Sequence, residues 1–284
     1  MYIKTLNIEV GNKCTMACSH CANESNPKRT EKLTSSEQLQ LIEDINCYKP
    51  NKIIFTGGEP FLYIDIINNI INNISKEIRI SITTNGFFAT NIGSIENELS
   101  SIVRLNQLQL SFDSYHSCQL NEKKPELLKQ YCQTQNIEFC IVTAISKPSQ
   151  LCLSNDLQRK YECKVIFQCV EASGRARKTH SQFQYSVFDR SVLAKKCPNS
   201  NGDINYVCGK GYSICCSNVC YNIAKREYFS NSISKLSNNI FLKEVSNLTM
   251  LERMKNNSTN IENYEPYLSS PCSLCELIEV KKHD

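Results

Sequence analysis

The sequence predicts the α/β class: a partial (β/α)6 barrel followed by a small cysteine-rich unit. Short apolar or alternating segments recur along the first 176 residues, and most gaps between them have helical periodicity. Such alternation is typical of parallel strands joined by helical crossovers. After residue 190 the chain is rich in Cys, Asn and Ser and less periodic. We therefore expect two units, residues 1–189 and 190–284.

Six strands are predicted in order along the first unit. Residues 6–10 alternate apolar and polar side chains, and Thr34 with Glu37 forms a capping box that begins a helix. The apolar side of this helix is predicted to include Leu39, Leu41 and Ile45. The second strand, residues 52–56, precedes isoleucines at helical spacing. The remaining predicted strands are residues 78–84, 108–112, 137–142 and 164–170.

Composition excludes several classes of protein. With 32 Lys+Arg against 28 Asp+Glu, the net charge of +4 fits neither a strongly basic nucleic-acid binder nor a disordered polyelectrolyte. The sequence shows no export signal and no stretch of about 18 apolar residues, so we expect a cytoplasmic protein that is not bound to a membrane. Thiols stay reduced there, and 17 Cys therefore indicate metal or iron–sulfur ligation.

The first motif, CxxxCxxC, is formed by Cys14, Cys18 and Cys21 directly after the first strand. Three thiolates can hold a cubane cluster and leave its fourth iron open, whereas structural zinc needs a fourth ligand. His20 lies between two of the cysteines and is poorly placed to supply that ligand. The spacing therefore favours an iron–sulfur cluster, with zinc as the alternative.

The second motif, Gly57-Gly58-Glu59-Pro60, follows the second strand. Glycines there let the backbone approach a ligand closely, although an ordinary strand-to-helix turn has the same composition. CxxxCxxC followed by this motif resembles the radical S-adenosylmethionine (SAM) superfamily. The resemblance implies a radical SAM barrel in which the three cysteines bind a [4Fe–4S] cluster. It also implies that the unique iron chelates SAM and that Gly57, Gly58 and Glu59 hold its methionine amino group.

Further strand ends extend this resemblance over residues 5 to 176. It implies that Thr84 and Asn85 lie near the cofactor and that Ser111 and Asp113 face its ribose or carboxylate. It also implies that Arg175 approaches SAM or substrate, and that His20 packs against adenine. Each element is weak alone, since Asn-Gly is a common turn and a solvated Arg175 is equally compatible. His116 and the Lys123-Lys124 pair are expected on the surface.

Cysteines of the second unit resemble the auxiliary-cluster domain of many radical SAM enzymes. The longer SPASM version continues with cysteines beyond its CxxC, whereas here residues 276–284 contain none. The shorter twitch version fits better and implies one auxiliary [4Fe–4S] cluster. Its implied ligands are Cys197, Cys216, Cys272 and Cys275. Cys215 or Cys208 could replace Cys216, and a structural zinc site is the alternative.

Other cysteines have separate expected roles. The remaining cysteines of the first unit lie on or near predicted helices and strands, and we expect them to be small buried hydrophobes. These are Cys47, Cys118, Cys132, Cys140, Cys152, Cys163 and Cys169. Near the barrel mouth, a thiol could instead donate a hydrogen atom to a substrate radical, as in radical SAM epimerases. Cys208, Cys215 and Cys220 are the candidate donors, and no one of them is favoured.

The predicted function is a radical SAM enzyme acting on a natural-product precursor, either a small sugar or cyclitol or a ribosomal peptide. In this family a 5′-deoxyadenosyl radical abstracts hydrogen from the substrate, and a flavodoxin- or ferredoxin-type donor supplies electrons. The outcome here would be epimerisation or dehydrogenation. Alternatives are a peptide maturase forming thioethers or other cross-links, a glycyl-radical-enzyme activase, or a non-enzymatic electron-transfer protein. Little chain precedes the first strand, which mildly favours a small substrate or a peptide presented by a partner protein.

Overall fold

The computed structural model describes residues 1–116, 122–261 and 263–282. It confirms the six predicted strands, which are parallel and lie in the order β6-β5-β4-β3-β2-β1. Predicted and observed boundaries differ by at most a few residues. The strands are β1 (Thr5–Glu9), β2 (Lys52–Thr56), β3 (Arg79–Thr84), β4 (Gln107–Ser111), β5 (Glu138–Ile145) and β6 (Lys164–Cys169).

Five helices form the crossovers between these strands: α1 (Ser35–Tyr48), α2 (Ile64–Asn72), α3 (Ile92–Ser100), α4 (Lys124–Thr134) and α5 (Leu151–Tyr161). The predicted capping box begins α1, because Thr34 and Glu37 exchange side-chain and backbone hydrogen bonds. Leu41 and Ile45 of α1 are buried, but Leu39 is 62% exposed, so the predicted apolar side was too broad.

The two faces of the sheet differ in polarity. Leu6 and Ile8 of β1 and Phe55 of β2 belong to the same apolar core as the buried residues of α1. On β3 and β4 the alternate positions are polar and pair across the strands. Thr83 donates to the side-chain carbonyl of Gln109 at 2.9 Å, and Ser81 pairs with Gln107 in the same way. Because side chains alternate along a strand, one sheet face packs on helices and the other presents polar groups.

The sheet continues into the second unit. β7 (Asp203–Val207) lies parallel beside β1, and β8 (Gly211–Ser213) lies antiparallel beside β7. A second apolar core forms around the later helices. The helices beyond β6 are α6 (Arg175–Thr179), α7 (Ile233–Leu236), α8 (Ile240–Asn247), α9 (Met250–Asn256) and α10 (Pro271–Lys281). The boundary near residue 190 stays a prediction, and the shared sheet ties the two predicted units together.

Two further expectations bear on the surface. No helix in the described part of the chain is long and apolar enough to cross a bilayer. Lys124 is buried rather than exposed as predicted.

Of the cysteines expected to be buried, Cys132 and Cys140 are buried and Cys163 and Cys169 are half-buried, whereas Cys47 and Cys152 are exposed. The expectation is therefore wrong for the last two, and Cys118 lies outside the described residues.

Candidate active site and auxiliary cysteine site

The CxxxCxxC motif occupies the loop after β1, at the carboxyl edge of the sheet. The Cys14 thiol is buried and accepts hydrogen bonds from the Met16 backbone at 3.4 Å and the Asn85 amide at 3.6 Å. Burial raises the pKa of Cys14 to about 12, and the nearby Cys18 and Cys21 thiols add to that rise. The three cysteines therefore lie near one another on one loop, as ligands of one cluster must.

The Gly57-Gly58 segment packs directly on this loop, which is called the cluster loop below. The Gly58 amide donates to the carbonyl of Gly11 at 2.8 Å, and the Glu59 amide donates to the carbonyl of Lys13 at 2.9 Å. A Cβ atom at Gly58 would lie only 2.1 Å from the Lys13 carbonyl oxygen. Gly57 has φ of +130°, a conformation that other residues rarely adopt. Glycine is thus required for this close approach.

The Glu59 carboxylate joins the ends of β2 and β3. It is fully buried and accepts hydrogen bonds from the Thr84 hydroxyl at 2.7 Å and the backbone amide of Asn85 at 2.9 Å. Burial raises the pKa of Glu59 to about 7. The side-chain amide of Asn85 donates a hydrogen bond to the Thr15 hydroxyl on the cluster loop at 3.0 Å. Glu59, Thr84 and Asn85 therefore hold this loop in place, and their contact with SAM stays a prediction.

Arg175 also binds the cluster loop, through its guanidinium group. Nη1 donates to the carbonyl of Cys18 at 2.7 Å, and Nη2 donates to the carbonyls of Glu24 and Ser25, each at 2.9 Å. The adjacent Gly174 is so close that a Cβ would lie 1.9 Å from the Ala22 carbonyl oxygen. Arg175 is therefore placed to fix the loop around a cluster, and its contact with SAM or substrate stays a prediction.

Asp113 and His116 form a buried pair after β4. His116 Nδ1 lies 2.7 Å from one Asp113 oxygen, and the other oxygen accepts from the Ala144 amide at 3.1 Å. The expectation that His116 is exposed is wrong, since it is only 8% exposed. Burial alone would lower the pKa of His116, but hydrogen bonds to Asp113 and Cys18 raise it to about 10. Ser111 is half-buried at the end of β4, and its predicted cofactor contact, like that of Asp113, stays untested.

His20 belongs to the cluster loop and faces this pair, with its ring centroid 5.3 Å from that of His116. Its ring is stacked on Tyr115 with centroids 4.4 Å apart, and burial lowers its pKa to about 4. Its Nδ1 atom is buried and has no hydrogen-bond partner among the described residues. A neutral ring with an unused nitrogen suits a flat heteroaromatic ligand such as adenine. The residues around the loop therefore fit both a three-cysteine cluster and SAM.

A second cysteine site lies in the C-terminal half, where one largely apolar cavity is lined by Cys197, Cys215, Cys216, Cys272 and Cys275. The four predicted ligands are thus brought together, with Cys215 beside them. Burial raises the pKa of Cys197 to about 12 and that of Cys275 to about 11. A set of at least four thiols lining one largely apolar cavity fits one auxiliary cluster.

The candidate hydrogen-atom donors occupy different surroundings. The Cys215 sulfur accepts a hydrogen bond from the Ser217 amide at 3.4 Å, and the Cys220 thiol donates to the backbone carbonyl of Cys215 at 2.9 Å. Cys220 is fully buried, and its pKa is raised well above the ordinary value. Cys208 lies directly after β7 and is buried. Burial raises the pKa of Cys208 to about 12. Cys215 therefore lines the cysteine cavity with the predicted ligands, whereas Cys208 and Cys220 are buried outside that lining.

Comparison with known proteins agrees with this geometry. Residues 8–143 match the family model of the radical SAM superfamily. The match spans just under half of the chain and identifies residues 8–143 as a radical SAM domain, and members of that superfamily use a [4Fe–4S] cluster and SAM. The "Putative peptide biosynthesis protein YydG" of Bacillus subtilis (strain 168) is 25% identical over 300 residues, covering 97% of this chain and 92% of the relative.

Two solved structures share the fold over nearly the whole chain. BtrN in complex with AdoMet and 2-DOIA aligns with a TM-score of 0.55 and 15% identity, covering 94% of this chain and 98% of BtrN. The anSMEcpe structure with bound AdoMet and Cp18Cys peptide has a TM-score of 0.50 and 13% identity, covering 96% of this chain and 87% of the other. This likeness confirms the α/β architecture.

Proposed function

We propose that this radical SAM enzyme modifies a ribosomal peptide by hydrogen-atom abstraction followed by hydrogen return, which is an epimerisation. The observation that carries the proposal is the burial of two further thiols beside the sheet: Cys208 directly follows β7, and Cys220 donates to Ser213 of β8 at 3.3 Å. The peptide substrate class is supported by the relative named for peptide biosynthesis, which matches 97% of the chain. We expect the enzyme to work in the cytoplasm, where its thiols stay reduced.

When bound, the first cluster and SAM supply a 5′-deoxyadenosyl radical that takes a hydrogen atom from the substrate. Cys14, Cys18 and Cys21 hold that cluster, and the backbone of Gly57 and Gly58 together with the His20 ring forms the SAM site. We assign the auxiliary cluster to Cys197, Cys215, Cys272 and Cys275, with Cys216 as the alternative to Cys215. This choice is supported by the hydrogen bond that the Cys215 sulfur accepts from the Ser217 amide at 3.4 Å and by its lower exposure than that of Cys216.

In the final step, Cys208 or Cys220 returns a hydrogen atom to the opposite face of the substrate carbon. The S–H bond breaks, a C–H bond forms, and the substrate regains its original composition with inverted configuration. The sulfur radical left on the cysteine is restored by one electron and one proton. A flavodoxin- or ferredoxin-type donor is the proposed source of electrons.

The test uses synthetic peptides from small reading frames beside the gene, with SAM and dithionite in D2O. Epimerisation predicts 5′-deoxyadenosine, a product one mass unit heavier, and a D-residue after hydrolysis. A loss of two hydrogens would instead indicate dehydrogenation or cross-linking, including thioether formation. Failure to cleave SAM in a protein with both clusters would favour the electron-transfer alternative.

Variants identify the donor. Cys208→Ser and Cys220→Ser are compared with Cys152→Ser, a matched control at an exposed position. The variant that lacks the donor should still form deoxyadenosine but incorporate no deuterium and yield no D-residue. If both donor variants epimerise at the wild-type rate, this assignment is wrong.

A further inference from the structure

Arg253 lies beside the auxiliary cysteine site, on α9. Its side chain is fully buried, and Nη1 donates a hydrogen bond to the Cys275 sulfur at 3.1 Å. Nη2 donates to Glu279 on α10 at 2.6 Å, and Glu279 is also almost fully buried. A charged donor is thus held against the sulfur of one proposed ligand.

Arg253 and Glu279 form a fully buried ion pair. Burying a guanidinium–carboxylate pair is costly, and well-packed apolar side chains often stabilise a core as well or better. The Nε atom is buried and has no partner among the described residues, so the group retains an unused donor. Phe241 and Met250, which line the cysteine cavity, both contact the guanidinium. The charge is therefore directed at the rim of that cavity.

We propose that Arg253 sets the reduction potential of the auxiliary cluster by donating a charged hydrogen bond to the sulfur of Cys275. This inference rests on the proposed function, because it requires a cluster at these cysteines. Reduction adds one negative charge to a cluster, and a cation at a ligand sulfur stabilises the reduced form more than the oxidised form. Arg253 is a positioning residue that acts through Cys275, and it raises the potential.

Glu279 moderates this effect. Its carboxylate orients the guanidinium and offsets part of its charge, and its second oxygen accepts from the Tyr228 hydroxyl at 3.1 Å. Replacing Glu279 by a neutral side chain should therefore raise the potential, whereas replacing both members of the pair by apolar side chains should lower it. Opposite shifts from the two variants distinguish an electrostatic role from a general loss of packing.

The experiment measures the auxiliary cluster alone, in full-length protein carrying Cys14→Ala, Cys18→Ala and Cys21→Ala. The potential is read by EPR during anaerobic redox titration. Arg253→Met/Glu279→Met should lower it by at least 59 mV, which is a tenfold change for a one-electron couple. Glu279→Gln should raise it. The matched control is Glu244→Met/Lys282→Met, which removes a more exposed ion pair of the same unit and should leave the potential unchanged.

Iron content separates the two ways in which this test can fail. If the parent variant with the three alanines holds no cluster, the auxiliary cluster itself is wrong. If the parent holds about four irons but the potential is unchanged in both Arg253–Glu279 variants, only the role of Arg253 is wrong. Loss of the cluster from both variants also overturns it, because Arg253 would then be needed for assembly.

Discussion

Arg175 donates a hydrogen bond to the backbone carbonyl of Cys18 at 2.7 Å, although the two residues are 157 positions apart in sequence. The contact joins the segment after β6 to the loop that carries the first cysteine motif. The first and last parts of the barrel therefore meet at the cluster loop. This explains how a segment without helices or strands of its own keeps three cysteines near one another.

Replacing Arg175 by alanine should loosen this loop. Three hydrogen bonds from a charged donor to loop carbonyls are lost, and we expect a decrease of about 2–4 kcal/mol in the free energy of unfolding. Iron retained after gel filtration should fall toward the four atoms of the auxiliary cluster. Arg177→Ala is the control, since Arg177 is exposed and pairs only with Glu276 among the contacts described. Equal iron content in both variants would contradict this role.

Gly58→Ala should displace the GGE segment from the cluster loop. The new methyl group would lie 2.1 Å from a backbone oxygen that cannot move away cheaply, so we expect SAM affinity to fall at least tenfold, about 1.4 kcal/mol. Equilibrium dialysis with labelled SAM measures it. Gly93→Ala, inside α3 and with its nearest neighbour at 3.4 Å, should leave affinity unchanged and slightly stabilise the helix. Similar affinities for both variants would contradict the close-packing argument.

The buried Glu9 should make stability depend on pH. Burial raises its pKa from 4.5 to about 7, despite the hydrogen bond from Tyr221. Between these values the folded chain keeps a proton on Glu9 that the unfolded chain releases. The contribution of Glu9 to the free energy of unfolding therefore falls as pH rises from about 4.5 to 7. Glu9→Gln should remove roughly 2–3 kcal/mol of this dependence. Anaerobic urea unfolding at pH 5 and pH 8 measures this difference. An equal change in the free energy of unfolding between the two pH values in wild type and Glu9→Gln would contradict the prediction.

Cys215 and Cys216 should differ as ligands of the auxiliary cluster. Cys215 is half-buried and its sulfur accepts a hydrogen bond from the Ser217 amide, which stabilises the thiolate, whereas Cys216 is exposed. In protein lacking the first three cysteines, Cys215→Ser should lose the cluster signal in EPR. Cys216→Ser should keep it, and the reverse result would reassign the ligand.

Much of the barrel could be predicted because its signals are local. Apolar periodicity located β1 to β6, and the capping box located the start of α1. The motifs at strand ends were recognisable because parallel strands bring their carboxyl ends to one edge. This is why Cys14, Gly58 and Asn85, which are far apart in sequence, meet at one loop.

The missed features depend on contacts between distant segments. β7 has only five residues, and nothing local indicates that it pairs with β1. His116 was predicted to be exposed because a single histidine after a strand carries no burial signal. In the structure its ring is buried and forms hydrogen bonds with Asp113 and Cys18. Arg253 was not singled out, since its partners lie 22 and 26 residues away on another helix.

The central claim is that this chain holds two clusters in separate cysteine sites. Its most direct test is iron and sulfide analysis with Mössbauer spectra after anaerobic reconstitution, on the wild type and on the variant with Cys14, Cys18 and Cys21 changed to alanine. We predict about eight irons in the wild type and about four in the variant, in both cases as cubane clusters. About four irons in the wild type and none in the variant would contradict the auxiliary cluster and every step assigned to it.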